Sequence, residues 1–168
     1  EHDRIEVRNF SARIQMPENK IDVSAAEFEI NGILVSVSGS LLQPTPSDES
    51  PEDRAARLER RAAMLAGLRG HDGILWRFVT ELDKFHFDKN VMPRIDVDVV
   101  GDLDDPENIK ARLHFRATNA GRGNFYCENI NATVRYEYPY LLLDQLDIRD
   151  SYGTLHAHAT HRLGGDSI

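Results

Sequence analysis

The stretch GILVSVSGSLL, residues 32–42, decides the fold class. Ile33, Val35, Val37 and Leu41 fall on one parity, and Leu34, Ser36, Ser38 and Ser40 on the other. Period-two alternation marks a strand with one apolar and one wet face. The pattern extends in both directions. Upstream, in ARIQM, Ala12, Ile14 and Met16 oppose Arg13 and Gln15. Downstream, in PRIDVDVVGDL, Ile95, Val97, Val99 and Leu103 oppose Asp96, Asp98, Val100 and Asp102. In IKARLHFRAT, Ile109, Ala111, Leu113, Phe115 and Ala117 oppose Lys110, Arg112, His114, Arg116 and Thr118. The connections MPEN, NG, DLDDPEN and NAGRGN carry turn residues. These short links predict a mainly β fold, a mostly antiparallel meander of nine or ten strands.

One block breaks the pattern. LLQPTPSDES is a Pro/Ser/acid linker, followed by SPEDRAARLERRAAMLAGLRG. There Ser50 is the expected N-cap, Pro51 the first helical residue, Asp53 the partner in a capping box and Gly70 the stop. Leu58, Leu65 and Leu68 share their side with Arg54 and Arg61, so the packing of this helix is ambiguous. A second helix fits DGILWRFVTELDKF, with Leu75, Phe78, Val79, Leu82 and Phe85 on one face and Arg77, Glu81 and Lys84 on the other. The expected organisation is a first β-repeat over 1–42, a linker with a helical pair over 43–90, and the remaining strands over 91–168, all in one structural domain.

The 168 residues are 40% hydrophobic and 29% charged, an ordinary globular balance. A formal net charge of −8 argues against a nucleic-acid partner, whose phosphates call for a basic surface. Cys127 is the one cysteine, so no internal disulfide forms. No apolar run approaches the roughly 18 residues of a membrane span, and no signal peptide is visible. A start at Glu1 without Met predicts a piece of a longer chain.

Residues 5–28 lie over 125–148 without a gap. Ile5 meets Phe125, Val7 meets Cys127, Asn9 meets Asn129 and Phe10 meets Ile130. Ala12 meets Ala132, Ile14 meets Val134, Met16 meets Tyr136, Val23 meets Leu143 and Phe28 meets Ile148. Both copies change parity near Asn9 and Asn129, which predicts a bulge or tight turn in each. Matching Gly32 with Gly153 extends the repeat, setting Ile33 against Leu155, Val35 against Ala157 and Ser36 against His158. One such unit cannot bury its apolar face alone. Two architectures stay open: a closed sandwich or barrel, and an open, curved, groove-like (taco-shaped) sheet or half-open barrel.

The recurring N-[FI]-x-A-x-[IV] strand, at 9–14 and 129–134, together with LLLDQLDIRDSYGTLHA over 141–157, resembles the AsmA-like and TamB-like proteins of bacterial envelopes. The likeness covers the β part and not the helical insert. It implies a periplasmic portion of an inner-membrane-anchored protein whose apolar groove shields phospholipid or another acyl-chain lipid between membranes. It brings no catalytic residue and no cofactor. Flanking repeats of the same chain and outer-membrane assembly or envelope proteins are the implied partners. The groove lining expected on this reading is Ile14, Met16, Val23, Ile33, Val35, Val37, Ile95, Val97, Val99, Leu113, Phe115, Val134 and Leu155. The alternative is a closed β-sandwich adhesion or assembly module without lipid.

Other residue clusters weigh less. His156 and His158 share a strand face, while His161 takes the other parity. A metal site would need a third ligand, which Asp or Glu from a neighbouring strand could supply; polar surface is the favoured reading. DVDVVGDLDD and LLLDQLDIRD lack the loop spacing of a Ca²⁺ site, and wet sheet faces account for them. Read as the acid and base of a glycosidase, those carboxylates lack an identifiable cleft. GRGNF reads as a hairpin turn and not a nucleotide loop. RAARLERR is diluted by Glu52, Asp53 and Glu59 into a solvated helix face. Trp76 and Phe87 fall off the second helix's apolar face, as interface anchors or as packing on the β layer.

Overall fold

The structure is a computed structural model and describes residues 6–43, 50–69, 80–88, 90–103 and 105–162. Eight strands form one sheet: β1 (Val7–Gln15), β2 (Lys20–Ile30), β3 (Ile33–Leu42), β4 (Arg94–Asp102), β5 (Asp105–Arg122), β6 (Phe125–Glu137), β7 (Tyr140–Arg149) and β8 (Thr154–Arg162). They lie side by side in chain order, and β1 and β8 are the two edges. The sheet is therefore an open, curved groove rather than a barrel, and the described residues contain no second sheet to close a sandwich.

The meander is antiparallel with one exception. β3 and β4 run parallel, pairing Val35 with Ile95, Val37 with Val97 and Gly39 with Val99. Short links force antiparallel neighbours, but a parallel pair needs a long crossover. The linker and helical insert after Leu42 supply it, which returns the chain to the end of the sheet where β3 began. The insert contains helix α1 (Pro51–Arg69), approaching β5, and a helical turn over residues 80–83. The capping box is present: Ser50 Oγ accepts from the Asp53 N–H at 3.1 Å and donates to the Asp53 carboxylate at 2.6 Å. Gly70 and the N-terminal part of the second helix, with Leu75, Trp76, Arg77, Phe78 and Val79, lie outside the described residues.

The registers make the internal repeat a structural one. Ile14 pairs with Val23 and Val134 with Leu143, each 120 positions later. Phe28 pairs with Val35 and Ile148 with Leu155, at the same offset. One extra residue bulges β2 between Val23 and Ala26, and β7 between Leu143 and Leu146. The parity break is a bulge in the first copy, where Asn9 takes a φ of 53° and the β1–β2 register slips between Arg8 and Ser11. In the second copy Cys127 and Ile130, three residues apart, are both buried. β5 follows that change through Asn119, at a φ of 52°, so β5 and β6 keep one register throughout.

Three sequence expectations need correction. The described strands number eight, not nine or ten. The last strand is offset by two from its expected match: Leu155 is equivalent to Val35, and His158 to Ser38. Gly32 and Gly153 are not equivalent because their turns differ. Asn31 and Gly32, at φ 48° and 80°, make a two-residue hairpin turn. Residues 150–153 make a longer one, in which Asp150 Oδ1 accepts from the N–H groups of Tyr152 and Gly153. Third, most of NAGRGN is strand, and so is the DPEN of DLDDPEN, where β5 begins at Asp105. β5 continues to Arg122, which pairs with Phe125, leaving only Gly123 and Asn124 to turn.

Candidate functional site

The register gathers the apolar parity of every strand onto one face. Ile33, Val35, Ile95, Phe115, Ala117, Ala120, Cys127 and Ile130 form its buried centre with Leu82 from the insert. Phe28, Val37, Val97, Leu113, Ala132, Leu146 and Ile148 surround it, partly buried. The centre therefore sits towards one end of the sheet, where β3 and β4 begin and β5 ends.

That end is covered by the strap of residues 80–88. His86 and Gly121 exchange two backbone hydrogen bonds of 2.7 and 2.8 Å, laying the strap across the end of β5. Phe85 and Phe87 stack with centroids 6.1 Å apart, and Phe87 meets Phe115 edge-on at 6.4 Å. The Arg122 guanidinium lies over the Phe85 ring and bonds Glu81 at 3.1 Å. Asn31 to Asp83 and Asn119 to Asp88, each at 3.2 Å, tie the rim. Phe87 thus packs on the β layer.

The expected lining residues separate into three environments. Ile33, Val35, Ile95 and Phe115 are buried in the cluster with Leu82. Val23, Val37, Val97, Val99, Leu113 and Val134 are half-buried on the same face. Ile14, Met16 and Leu155 are exposed, Met16 just beyond the end of β1. The sequence reading missed Val7 and Phe10, both exposed, with the Phe10 ring 6.1 Å from Phe28. The parity break at Asn9 was the available signal, since it turns Phe10 to the face of Ala12 and Ile14. It also missed His86, whose bridge to Gly121 is tertiary and leaves no local pattern.

The opposite face is polar, and several of its charges are internally paired. Asp96 accepts from Arg94 Nε and Arg116 Nη2, each at 2.7 Å. Burial pushes its carboxyl up, but the two arginine hydrogen bonds outweigh that and hold it below the ordinary carboxylate value. Arg135 binds Asp144 through two nitrogens and Glu137 through a third. His114 Nε2 lies 2.6 Å from Asn131 Oδ1. His156 Nδ1 lies 2.5 Å from Asp147 Oδ1, and the histidine first, then Gln145, holds that carboxyl low.

No group of three His, Cys, Asp or Glu side chains comes together among the described residues. His156 and His158 lie on the polar face and His161, opposite Leu141, on the apolar one. Two open depressions mark the polar side. One of about 480 Å³ is lined by Val91, Met92, Arg94, Arg116, Thr118, Asn129 and Asn131 among others, with Thr118 Oγ1 buried and unpartnered. A smaller one lies over Ser36, Ser38, Asp98 and Arg112. Among the described residues no helix is long and apolar enough to cross a membrane.

Compared with known protein families, curated proteins and solved structures, the chain finds no match in any of the three.

Proposed function

We propose that this chain is a non-enzymatic β-groove segment of an AsmA/TamB-like envelope protein, in the periplasm, whose apolar face shields lipid acyl chains between the two membranes. The observation that carries the reading is the asymmetry of the sheet. The sheet gathers its apolar side chains on one face, and among the described residues the strap lies over one end of it. From the strap outward run Val37, Val97, Val99, Leu113 and Val134, half-buried, and then the exposed Ile14 and Met16, with Phe10 exposed at the β1 edge. Each CH₂ of an acyl chain laid there gains about 0.8 kcal/mol, with no specific polar contact required. The headgroup stays in water at the rim. A shield of this kind needs shape and apolarity, and a polar face that pairs many of its own charges suits it.

The test is photocrosslinking at Val99 and Ile14, which lie away from the strap, with Ser38 on the polar face as control. Lipid extracted from a bacterial host and identified by mass spectrometry should crosslink at Val99 and Ile14 and not at Ser38. Protein that carries no lipid, or that crosslinks equally from all three positions, refutes the groove.

A further inference from the structure

We propose that the bare edge of β1 is a docking site for one extended strand of a partner protein, antiparallel to β1, in which apolar residues alternate with acidic ones. The internal repeat supplies the control. β6 is the equivalent of β1, and its edge away from β7 is paired with β5 along its whole length. The corresponding edge of β1 pairs with no described residue. The consequences show at equivalent positions. Cys127 is 0% exposed and its counterpart Val7 55%; Ile130 is 7% exposed and its counterpart Phe10 68%. An unpaired edge with apolar side chains beside it is a template for strand addition.

The bulge at Asn9 is no obstacle. β5 crosses the same irregularity in β6 by placing Asn119 at positive φ, and keeps its register. That register also says what the incoming strand must carry. Phe115 faces Ala132, and Leu113 faces Val134, so apolar residues belong opposite Ala12 and Ile14. His114 faces Thr133, whose counterpart is Arg13. Arg13 has no acidic partner among the described residues, so the residue opposite it should be Asp or Glu. Arg8 adds a second positive charge to the wet row, held by Glu6 at 2.8 Å. Self-pairing of β1 from two copies would add a second Arg13 to the row and no carboxylate beyond the Glu6 that already holds each Arg8. Like charges across a ladder are destabilising. The proposal stands independently of whether the apolar face carries lipid.

Two synthetic peptides test it on the intact 168-residue chain. One is residues 109–117, IKARLHFRA; the other carries Lys110→Glu, Arg112→Glu, His114→Glu and Arg116→Glu. The acidic peptide is expected to bind at least tenfold more tightly by fluorescence anisotropy, and to slow amide exchange in β1 and not in β8. Arg13→Glu, at an exposed position, should reverse the order of the two peptides while the circular dichroism spectrum is unchanged. Equal or undetectable binding of both overturns the proposal, as does protection of β8 instead of β1. So does β1 protection that appears without peptide as the chain dimerises, since the occupant would then be a second copy.

Discussion

A Cβ on Gly39 would lie 1.9 Å from the carbonyl oxygen of Val99, its partner on the adjacent parallel strand. Gly39 has a φ of 149°, a conformation L side chains rarely adopt, and the next paired strand repeats the device at Gly101. A Cβ there would meet Asn108 O at 2.6 Å. At both positions a side chain would run into the backbone of the adjacent strand. Glycine kinks of this sort are how sheets acquire curvature.

Gly39→Ala should cost at least about 2 kcal/mol, since backbone strain alone is worth roughly 1–3 kcal/mol and a backbone clash adds to it. Gly153→Ala is the contrast. That glycine has neither a positive φ nor an atom within 4 Å of the added methyl. Its substitution should be neutral, or stabilise by up to about 1 kcal/mol through the unfolded chain. Urea denaturation of both variants checks the difference.

The strap should gate the reactivity of Cys127. The thiol is fully buried, donates to Ala120 O at 3.4 Å, and is pushed above its ordinary pKa by burial. Leu82→Ala removes the strap's buried aliphatic anchor, at a cost of about 2 kcal/mol or more. If the strap opens by itself, labelling of Cys127 by an aromatic disulfide accelerates by more than the measured loss of global stability accounts for. Leu58→Ala, at a half-exposed position on α1, should leave the rate unchanged. Equal acceleration in both variants would mean that the strap does not guard this cysteine.

Asp96 sets a pH dependence whose sign is fixed by its arginines. Its folded-state pKa lies below the ordinary value despite the opposing effect of burial. The stabilisation is thus complete above the unfolded pKa, near 4, and lost as pH falls through the lower folded value. Arg116→Gln removes one of the two guanidinium hydrogen bonds. The Asp96 carboxyl should then titrate at higher pH by carbon NMR, and acid unfolding should begin at higher pH. An unchanged titration would show that Arg94 alone holds the charge.

The strands were legible because their pattern is local. Ile33, Val35 and Val37 announce one face by alternation, and the register places all three there. The repeat was legible for the same reason, down to the bulge at Asn9. What failed depended on distance or on turn geometry. The parallel pairing of β3 with β4 is set by the insert after Leu42, and no feature of either strand encodes it. Gly32 and Gly153 look alike as letters, yet one sits in a two-residue turn and the other at the end of an Asp150-organised loop. Of the expected lining, parity put the residues on one face, but the exposure of each depends on the strap, whose seat on Gly121 lies 35 residues from His86.

Equivalent residues of the two repeats should therefore differ in energy. Ile130→Ala deletes a side chain enclosed by β5, β7 and the core cluster, and should cost about 2–4 kcal/mol. Phe10→Ala, at the matching position, loses little beyond its ring contact with Phe28, so about 1 kcal/mol is expected. The gap measures how far the first repeat is from being enclosed. A molecule that covers β1, whether a strand at its edge or an acyl chain on its face, must raise the cost of the Phe10 substitution towards that of Ile130. Thermal unfolding of the two variants with and without the acidic peptide, and with and without short-chain phospholipid, reads this directly. If the Phe10 variant loses as much stability as the Ile130 variant with nothing added, β1 is already covered in the free chain.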